Sequence, residues 1–256
     1  MQKKQSEWKW QWNKLDYDSQ WLFTEWIYPN KLEDFNNKTV LDAGCGGGQH
    51  LDLIAPYCKY ALGIELNASE IAKRKNKYNK NVKIIEGDIA IINPKKKFDI
   101  VYSIGVLHHT NNPRKSFNKI KKNCKKNGRV IVWVYSYEGN FLNRSVLEPI
   151  KKIFFLKLNK KILLVLSKII TCLLYIPIYS IYLFPIRFLP FYDYFKNFRR
   201  LKFNMNTLNV FDKLNAPQTH FIKRSAIKSW FNPREFSDVH ISHYKGVSWR
   251  ASGTKK

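Results

Sequence analysis

Residues 40–50 read VLDAGCGGGQH, and this stretch decides the fold. An apolar run ends at Asp42, and glycines follow at the alternating positions 44, 46 and 48. Glycine is required where the backbone takes a positive φ or approaches a ligand closely. In an open parallel sheet such a turn lies at the carboxyl edge, where ligands bind. The stretch therefore predicts a strand, a ligand-contacting turn and a helix.

The segments that follow alternate short apolar runs with amphipathic stretches, which is typical of a parallel sheet with crossover helices. We predict strands at residues 39–43, 60–65, 82–86, 98–103 and 129–135, and helices at 48–58, 69–77 and 113–124. Farther along, a helix at 225–231 precedes strands at 239–243 and 247–252. The predicted fold class is α/β, a doubly wound, Rossmann-like sheet of seven strands.

Acidic residues stand at the ends of the second and third predicted strands. Glu65 ends the second strand, where a carboxylate can accept hydrogen bonds from both ribose hydroxyls of a nucleoside. Asp88 follows the third strand, where it can accept a hydrogen bond from an adenine amino group. Gln49 occupies the place of the last glycine of the dinucleotide fingerprint G-x-G-x-x-G, so nothing requires a pyrophosphate. The pattern predicts a nucleoside coenzyme without a diphosphate.

Five stretches, in this order and spacing, resemble the class I S-adenosylmethionine-dependent methyltransferases, and in particular the group called type 11. They are VLDAGCGGG, LGIELN, EGD, FDIVYSIGVLHHTNNP and KKNGRVIVWVY, and they cover residues 39–135 closely. The resemblance implies an enzyme of this class with S-adenosyl-L-methionine as methyl donor. It also implies a set of coenzyme-binding residues at the carboxyl ends of the first four strands: Asp42, Gly44, Cys45, Gly46, Glu65, Leu66, Asp88, Ile89, Ser103 and Ile104.

The resemblance also assigns parts of the coenzyme to these residues. Those after the first strand would line its methionine end, and those after the second and third strands would hold the ribose and the adenine. Those that end the fourth strand would close over the sulfonium side.

His108 and His109 follow the fourth strand at the edge where the methyl acceptor should lie. Methyl transfer from a sulfonium mainly needs the reacting atoms to be held in line, and a base is needed only if the acceptor must lose a proton. His108 is our candidate general base. Packing against the following turn and positioning of the acceptor are the alternatives. We predict no metal site, because adjacent histidines seldom face one ion and the four cysteines lack metal-ligand spacing.

The strand and helix pattern breaks after Gly139 and resumes at Phe211. We therefore divide the chain into an N-terminal aromatic arm at residues 1–35, a coenzyme-binding core at 36–138, a hydrophobic helical insertion at 139–210, and a C-terminal helix and strands at 211–256. Trp8, Trp10 and Trp12 of the arm either cover the site or pack as ordinary apolar residues.

Within the insertion, residues 169–186 carry no charge, which reaches the lower limit for a membrane span. Pro177 and Pro185 interrupt the segment, and a single span would separate the first five strands from the last two. Two interpretations stay open, and they are not exclusive. The segment is a helical lid over an acceptor pocket, or it lies on an anionic membrane surface, which its basic flanks suit.

The chain carries 45 Lys and Arg against 19 Asp and Glu, a formal net charge of +26. Such a charge attracts anionic partners, although compositional drift explains it as well, because the basic residues are spread along the whole length. We expect a small-molecule, glycan or lipid-linked acceptor. An RNA methyltransferase and a binding protein without turnover are the alternatives. With no secretion signal at its start, the chain is expected to be cytoplasmic, with peripheral attachment at the inner membrane face as an extension. The sequence leaves the oligomeric state open.

Overall fold

The computed structural model of the chain describes residues 6–14 and 20–256. Its strands are β1 (Thr39–Ala43), β2 (Tyr60–Glu65), β3 (Val82–Glu86), β4 (Phe98–Ile104), β5 (Cys124–Tyr135), β6 (Phe236–Tyr244) and β7 (Ser248–Lys255). Its helices are α1 (Ser6–Lys14), α2 (Gln20–Ile27), α3 (Gln49–Ile54), α4 (Ser69–Lys75), α5 (Pro113–Ile120), α6 (Glu148–Ile153), α7 (Lys160–Ile178), α8 (Tyr192–Arg200), α9 (Phe203–Asn215) and α10 (Arg224–Trp230).

All seven strands form one sheet in the order β3-β2-β1-β4-β5-β7-β6. The strands β1 to β5 run parallel, and β7 pairs antiparallel with both β5 and β6. Because β7 lies between β5 and β6, the C-terminal segment completes the sheet that the N-terminal strands begin. The predicted seven-stranded, doubly wound fold is confirmed.

Helices cover both faces of the sheet, which is why the central strands are apolar on both sides. On one face, Phe117 of α5 stacks on Trp230 of α10 with ring centroids 5.1 Å apart, and it also meets Phe236 of β6. On the other face, Phe23 of α2 lies against Tyr102 of β4. The aromatic arm and the C-terminal helix therefore each close one layer of the core.

The first crossover helix is shorter than predicted. We predict a helix at 48–58, whereas α3 ends at Ile54 and Ala55 is its C-cap. Pro56 follows at once, and because proline has no backbone N–H it cannot donate to the carbonyl of Asp52, four residues earlier. At its start, α3 follows Gly48, an N-cap residue with left-handed backbone and a φ of +82°.

The region before β5 also differs from the prediction. We predict a helix to residue 124 and a turn at Asn127 and Gly128, but α5 ends at Ile120 and β5 already begins at Cys124. Cys124 pairs with Phe98, and the register then shifts before Arg129 pairs with Ile100. The positive φ of Asn127, +60°, lies within this irregularity. The chain thus bends inside a strand rather than between two elements.

The insertion folds into helices α6 to α9. Leu163 and Ile178 of α7 are fully buried in one apolar cluster with Phe211 and Leu214 of α9. Helix α9 runs across the boundary that we predict between residues 210 and 211. The helical layer therefore continues to Asn215 before the chain returns to the sheet.

Helix α7 is long and apolar enough, by length and composition alone, to cross a membrane. It has 19 residues and a mean hydropathy of 2.0, and 22% of its most apolar window is buried inside the protein. The strands β5 and β7, which precede and follow it, are neighbours in one sheet.

Candidate functional site

The turn after β1 is shaped by three glycines with left-handed backbone. Gly44, Gly46 and Gly48 have φ values of +94°, +55° and +82°, which L side chains rarely adopt. The amides of Gly44 and Cys45 both donate to the carbonyl of Ile64, at 2.9 and 3.0 Å. These bonds hold the turn against the end of β2.

The carboxylate of Glu65 fixes the same turn from the other side. Its Oε2 accepts a hydrogen bond of 2.9 Å from the backbone amide of Gly46, and its Oε1 accepts one of 3.4 Å from that of Asn67. Glu65 is buried, and burial raises its pKa although these amides work in the opposite direction. A buried carboxylate next to backbone amides is a prepared binding group for hydroxyl donors.

Above the turn lies a cavity of about 180 Å³, which we call the coenzyme cavity. It is bounded by the carboxyl ends of β1, β2, β3 and β4, where ligands bind in sheets of this type. Most of the predicted coenzyme residues line it, as does His108: Gly44, Cys45, Gly46, Glu65, Leu66, Asp88, Ile89 and Ile104.

Asp42 and Ser103 do not line the coenzyme cavity and lie beneath its floor. The Asp42 carboxylate accepts a hydrogen bond of 2.9 Å from the Tyr102 hydroxyl, and Ser103 Oγ donates to the carbonyl of Ala43. Burial raises the pKa of Asp42 to about 8, and the nearby charge of Glu65 adds to this effect. The cavity therefore has two buried carboxyl groups at its base, one lining it and one behind it.

Helix α1 roofs the coenzyme cavity. Trp8 and Trp12, one helical turn apart, both line it, and the indole of Trp12 lies so close to Gly46 that a Cβ there would be 2.9 Å from its ring. Trp10 faces away and stacks on Phe211 at 5.3 Å. Both interpretations of the arm therefore hold: Trp8 and Trp12 cover the site, and Trp10 packs as an ordinary apolar residue.

A hydrogen-bonded bridge holds α1 over the site. Gln11 Nε2 donates to Asp212 Oδ1 at 2.9 Å, and Asn215 Nδ2 donates to the carbonyl of Glu7 at 3.2 Å. Asp212 also lines the coenzyme cavity, so α9 supplies part of its wall. These α9 residues could not be predicted from the sequence, because nothing in the order of the motifs brings a helix of the insertion to the end of β1.

His108 lies in the wall of the coenzyme cavity and is 1% exposed. Among the described residues, neither ring nitrogen has a hydrogen-bond partner. Its ring centroid is 4.2 Å from those of both His109 and Tyr135. Burial lowers the pKa of His108 well below its usual value, and the charge of Lys213 adds to this. The imidazole is therefore neutral near pH 7 and can accept a proton or a hydrogen bond.

His109 is held in one orientation by the loop before α10. Its Nδ1 lies 2.8 Å from the carbonyl of Gln218, whose side-chain amide donates to the carbonyl of His109. A ring nitrogen that faces a carbonyl oxygen carries the proton, so Nε2 is the basic nitrogen of this histidine. Burial lowers the pKa of His109, and Asp212 opposes that shift.

A second and larger cavity of about 570 Å³ adjoins the first, and we call it the acceptor cavity. Its walls come from helices α6 to α9 and from the ends of β5 and β6, and most of them are Leu, Ile, Val and Phe side chains. Five residues line both cavities, and we call this shared boundary the passage: Trp26, His109, Trp133, Tyr135 and Asn209. Within residues 6–14 and 20–256, no group of three or more His, Cys, Asp or Glu side chains is placed to hold a metal ion.

Comparison with known proteins agrees with this geometry. The family described as "Methyltransferase domain", of the type 11 group, matches residues 41–132. These are the residues that carry β1 to β5 and the coenzyme cavity floor. Residues 41–132 form a methyltransferase domain. It is of class I, and S-adenosylmethionine is its methyl donor.

Two curated relatives are similar to part of the chain. A tRNA U34 carboxymethyltransferase of Shewanella sediminis is 29% identical over 145 residues, covering 53% of this chain and 43% of the relative. That of Haemophilus influenzae is 27% identical over 127 residues, covering 47% and 39%. The matches thus span less than half of the length of these relatives.

A solved structure shares the fold over nearly the whole chain. It is the magnesium protoporphyrin IX methyltransferase of Synechocystis PCC 6803 with bound SAH, which is 13% identical and has a TM-score of 0.53. It covers 97% of this chain and 93% of its own. The methyltransferase fold therefore extends beyond the family match to the C-terminal strands.

The residues around the cavity fit S-adenosylmethionine. Gly44 and Gly46 let the turn lie at the cavity, because a Cβ on either would collide with Val106 or Trp12, and Glu65 offers a carboxylate for the ribose. The two buried carboxyl groups, Glu65 and Asp42, suit a ligand that carries positive charge.

Replacement of Glu65 tests this fit. We expect Glu65→Ala to weaken binding of S-adenosylhomocysteine about ten- to hundredfold, because hydrogen bonds to a charged group contribute about 1.5–3 kcal/mol. Isothermal titration calorimetry measures the loss. The matched control is Glu70→Ala, since the Glu70 side chain is 73% exposed and pairs with Lys73 on the surface of α4. Equal affinity of both variants would show that Glu65 does not bind the coenzyme.

A second prediction follows from the raised pKa of Asp42. With a pKa of about 8, Asp42 is mostly protonated at pH 7 in the free protein. A cation bound above the glycine turn lowers that pKa, so binding of S-adenosylmethionine at pH 7 should release close to one proton. Calorimetry in two buffers of different ionisation enthalpy measures the release. Asp42→Asn should abolish it, and release that persists in this variant would assign the proton to another group.

Proposed function

We propose that the protein transfers a methyl group from S-adenosylmethionine to an apolar or amphipathic acceptor, such as a lipid-linked intermediate, held in the acceptor cavity. The observation that carries the proposal is this cavity itself, which is of ligand size, lined mainly by apolar side chains and joined to the coenzyme cavity. A free glycan has too little apolar surface to replace water along such walls. The lipid portion of an acceptor fits them.

A few polar groups stand among the apolar walls. Lys213 donates a hydrogen bond of 2.7 Å to the Tyr194 hydroxyl, and both residues line the acceptor cavity. Glu148 and Thr219 also line it, and both bind the fully buried ammonium of Lys151. Sparse polar groups in an apolar cavity fix the orientation of a ligand. They supply partners for the polar end of an amphipathic acceptor.

The passage residues, together with His108 in the wall of the coenzyme cavity, perform the chemistry. When bound, S-adenosylmethionine supplies a methyl group already activated on its sulfonium. The passage residues Trp133 and Tyr135 orient the acceptor and exclude water, which lowers the barrier through alignment. A hydroxyl acceptor must also lose a proton. The neutral imidazole of His108 accepts it, so His108 is the proposed general base.

RNA is the second candidate acceptor, and the comparisons favour it. The curated relatives act on tRNA, and the charge of +26 suits a polyanion. The apolar lining of the acceptor cavity favours the first candidate, since nucleotides are recognised by stacking and by basic grooves. A protein that binds the coenzyme without turnover is the third candidate, and a transfer assay separates it from both.

The transfer assay uses coenzyme labelled in its methyl group, the purified protein and fractionated bacterial extract. We expect label to enter the organic-soluble fraction and to resist ribonuclease. Ile170→Trp should reduce this transfer at least about tenfold while leaving S-adenosylhomocysteine affinity unchanged, because Ile170 lines only the acceptor cavity. The control is Val239→Trp, a partly exposed position on β6 outside both cavities. Label that enters RNA instead would establish the second candidate.

Replacement of His108 tests the proposed base. We expect His108→Asn to lower kcat by about a hundredfold or more with little change in coenzyme affinity. Because its pKa lies well below the usual value, the wild-type rate should show no fall as the pH drops from 7.5 to about 6. The pH–rate profile measures this. An unchanged kcat in His108→Asn would leave the residue a packing role only.

A further inference from the structure

The exposed apolar side chains are concentrated in one part of the protein. Among the described residues, 21 large apolar side chains are exposed, and 16 of them lie between Phe141 and Phe188. Large exposed apolar patches are rare on soluble monomers and mark interaction sites. This concentration of exposed residues, which we call the apolar face, is therefore a candidate interaction surface.

Helix α7 is the longest element of the apolar face. Ile162, Val165, Ile169, Leu173 and Ile176 recur at helical spacing and are each about half exposed or more. The opposite side of the helix, with Leu163 and Thr171, is fully buried against the rest of the insertion. One side of α7 is thus occupied by the protein, and the other is open along its whole length.

The segment that follows α7 extends the face. Leu183, Phe184 and Phe188 are 58%, 62% and 89% exposed. An aromatic ring that is almost wholly in water is costly unless it enters another phase or surface. The apolar face therefore continues beyond α7 into a segment with protruding aromatic side chains.

Basic residues surround this face, and acidic residues are nearly absent. Residues 141–200 hold eleven Lys and Arg but only two carboxylates, Glu148 and Asp193. Both carboxylates already pair within the segment, with Lys151 and Lys196. Exposed cations remain along the face, at Lys152, Lys157, Lys161, Lys168 and Arg187. An apolar face with a cationic border matches the interface of an anionic bilayer.

We propose that the apolar face docks the protein onto the surface of an anionic phospholipid membrane, with α7 lying in the plane of the interface. The helix does not cross the bilayer, because β5 before it and β7 after it are neighbours in one sheet. Its buried side also packs on α9, which a crossing helix would lose.

The acceptor cavity meets the apolar face. Leu142, Val146 and Ile150 line the cavity and are also 42%, 49% and 45% exposed. These residues form a mouth through which a membrane-borne acceptor reaches the coenzyme without passing through water. This last point rests on the proposed function, whereas membrane docking itself does not depend on it.

The test is co-sedimentation with vesicles of phosphatidylcholine alone or with about one third phosphatidylglycerol. We expect the full chain to bind the anionic vesicles, to bind neutral ones far more weakly, and to lose part of its affinity at about 1 M salt, where the Debye length falls to about 3 Å. The double variant Ile169→Glu and Leu173→Glu should bind the anionic vesicles at least about tenfold more weakly.

The control is Ile91→Glu, which makes the same substitution at a 66% exposed isoleucine outside the apolar face. It should bind vesicles as the wild type does. Unchanged S-adenosylhomocysteine affinity establishes that the double variant is folded. Equal vesicle binding by the two variants overturns the proposal. A wild-type protein that ignores anionic vesicles and forms a dimer dissociated by the double variant also overturns it, since a second copy would then cover the face. Neither result depends on methyl transfer.

Discussion

The hydrogen bond from the Gly46 amide to the Glu65 carboxylate is the contact on which the site depends. It joins the turn after β1 to the end of β2 and keeps a carboxylate buried beside a cavity. The turn can approach that carboxylate because its glycines adopt left-handed backbone without strain. Asp42, buried behind the turn, adds a second acidic group. This arrangement favours a nucleoside ligand that carries positive charge, as S-adenosylmethionine does.

The position that we propose for the acceptor follows from how the insertion packs. Helix α9 contributes to both cavities, and it also holds α1 over the coenzyme through Gln11 and Asp212. The packing of α9 therefore both covers the coenzyme cavity and shapes the acceptor cavity. Tyr135, at the end of β5, stands between them and contacts both histidines. In the proposed function, methyl transfer takes place at the passage, which the sheet edge and the inserted helices build.

The large positive charge is interpreted differently in the sequence and in the structure. Because the basic residues are spread along the sequence, compositional drift explains the charge as well as an anionic partner does. In the structure, some of the basic residues border the exposed apolar face. The helices that carry this face also line the acceptor cavity. We propose a membrane surface because charge and apolar exposure occur together, whereas charge alone would equally suit RNA.

The amino-acid sequence was enough to predict the seven-stranded sheet, the glycine turn and the residues at the strand ends, because strand periodicity and positive φ are local properties. It located Gly44, Gly46, Glu65, Asp88 and His108, which the structure brings around one cavity. Three features emerged from the folded chain alone: Asp42 and Ser103 lie beneath the cavity floor, Trp12 covers the turn, and α9 forms a wall shared by both cavities. These contacts join residues far apart in the chain, so they depend on how the insertion packs on the sheet, which no local pattern records.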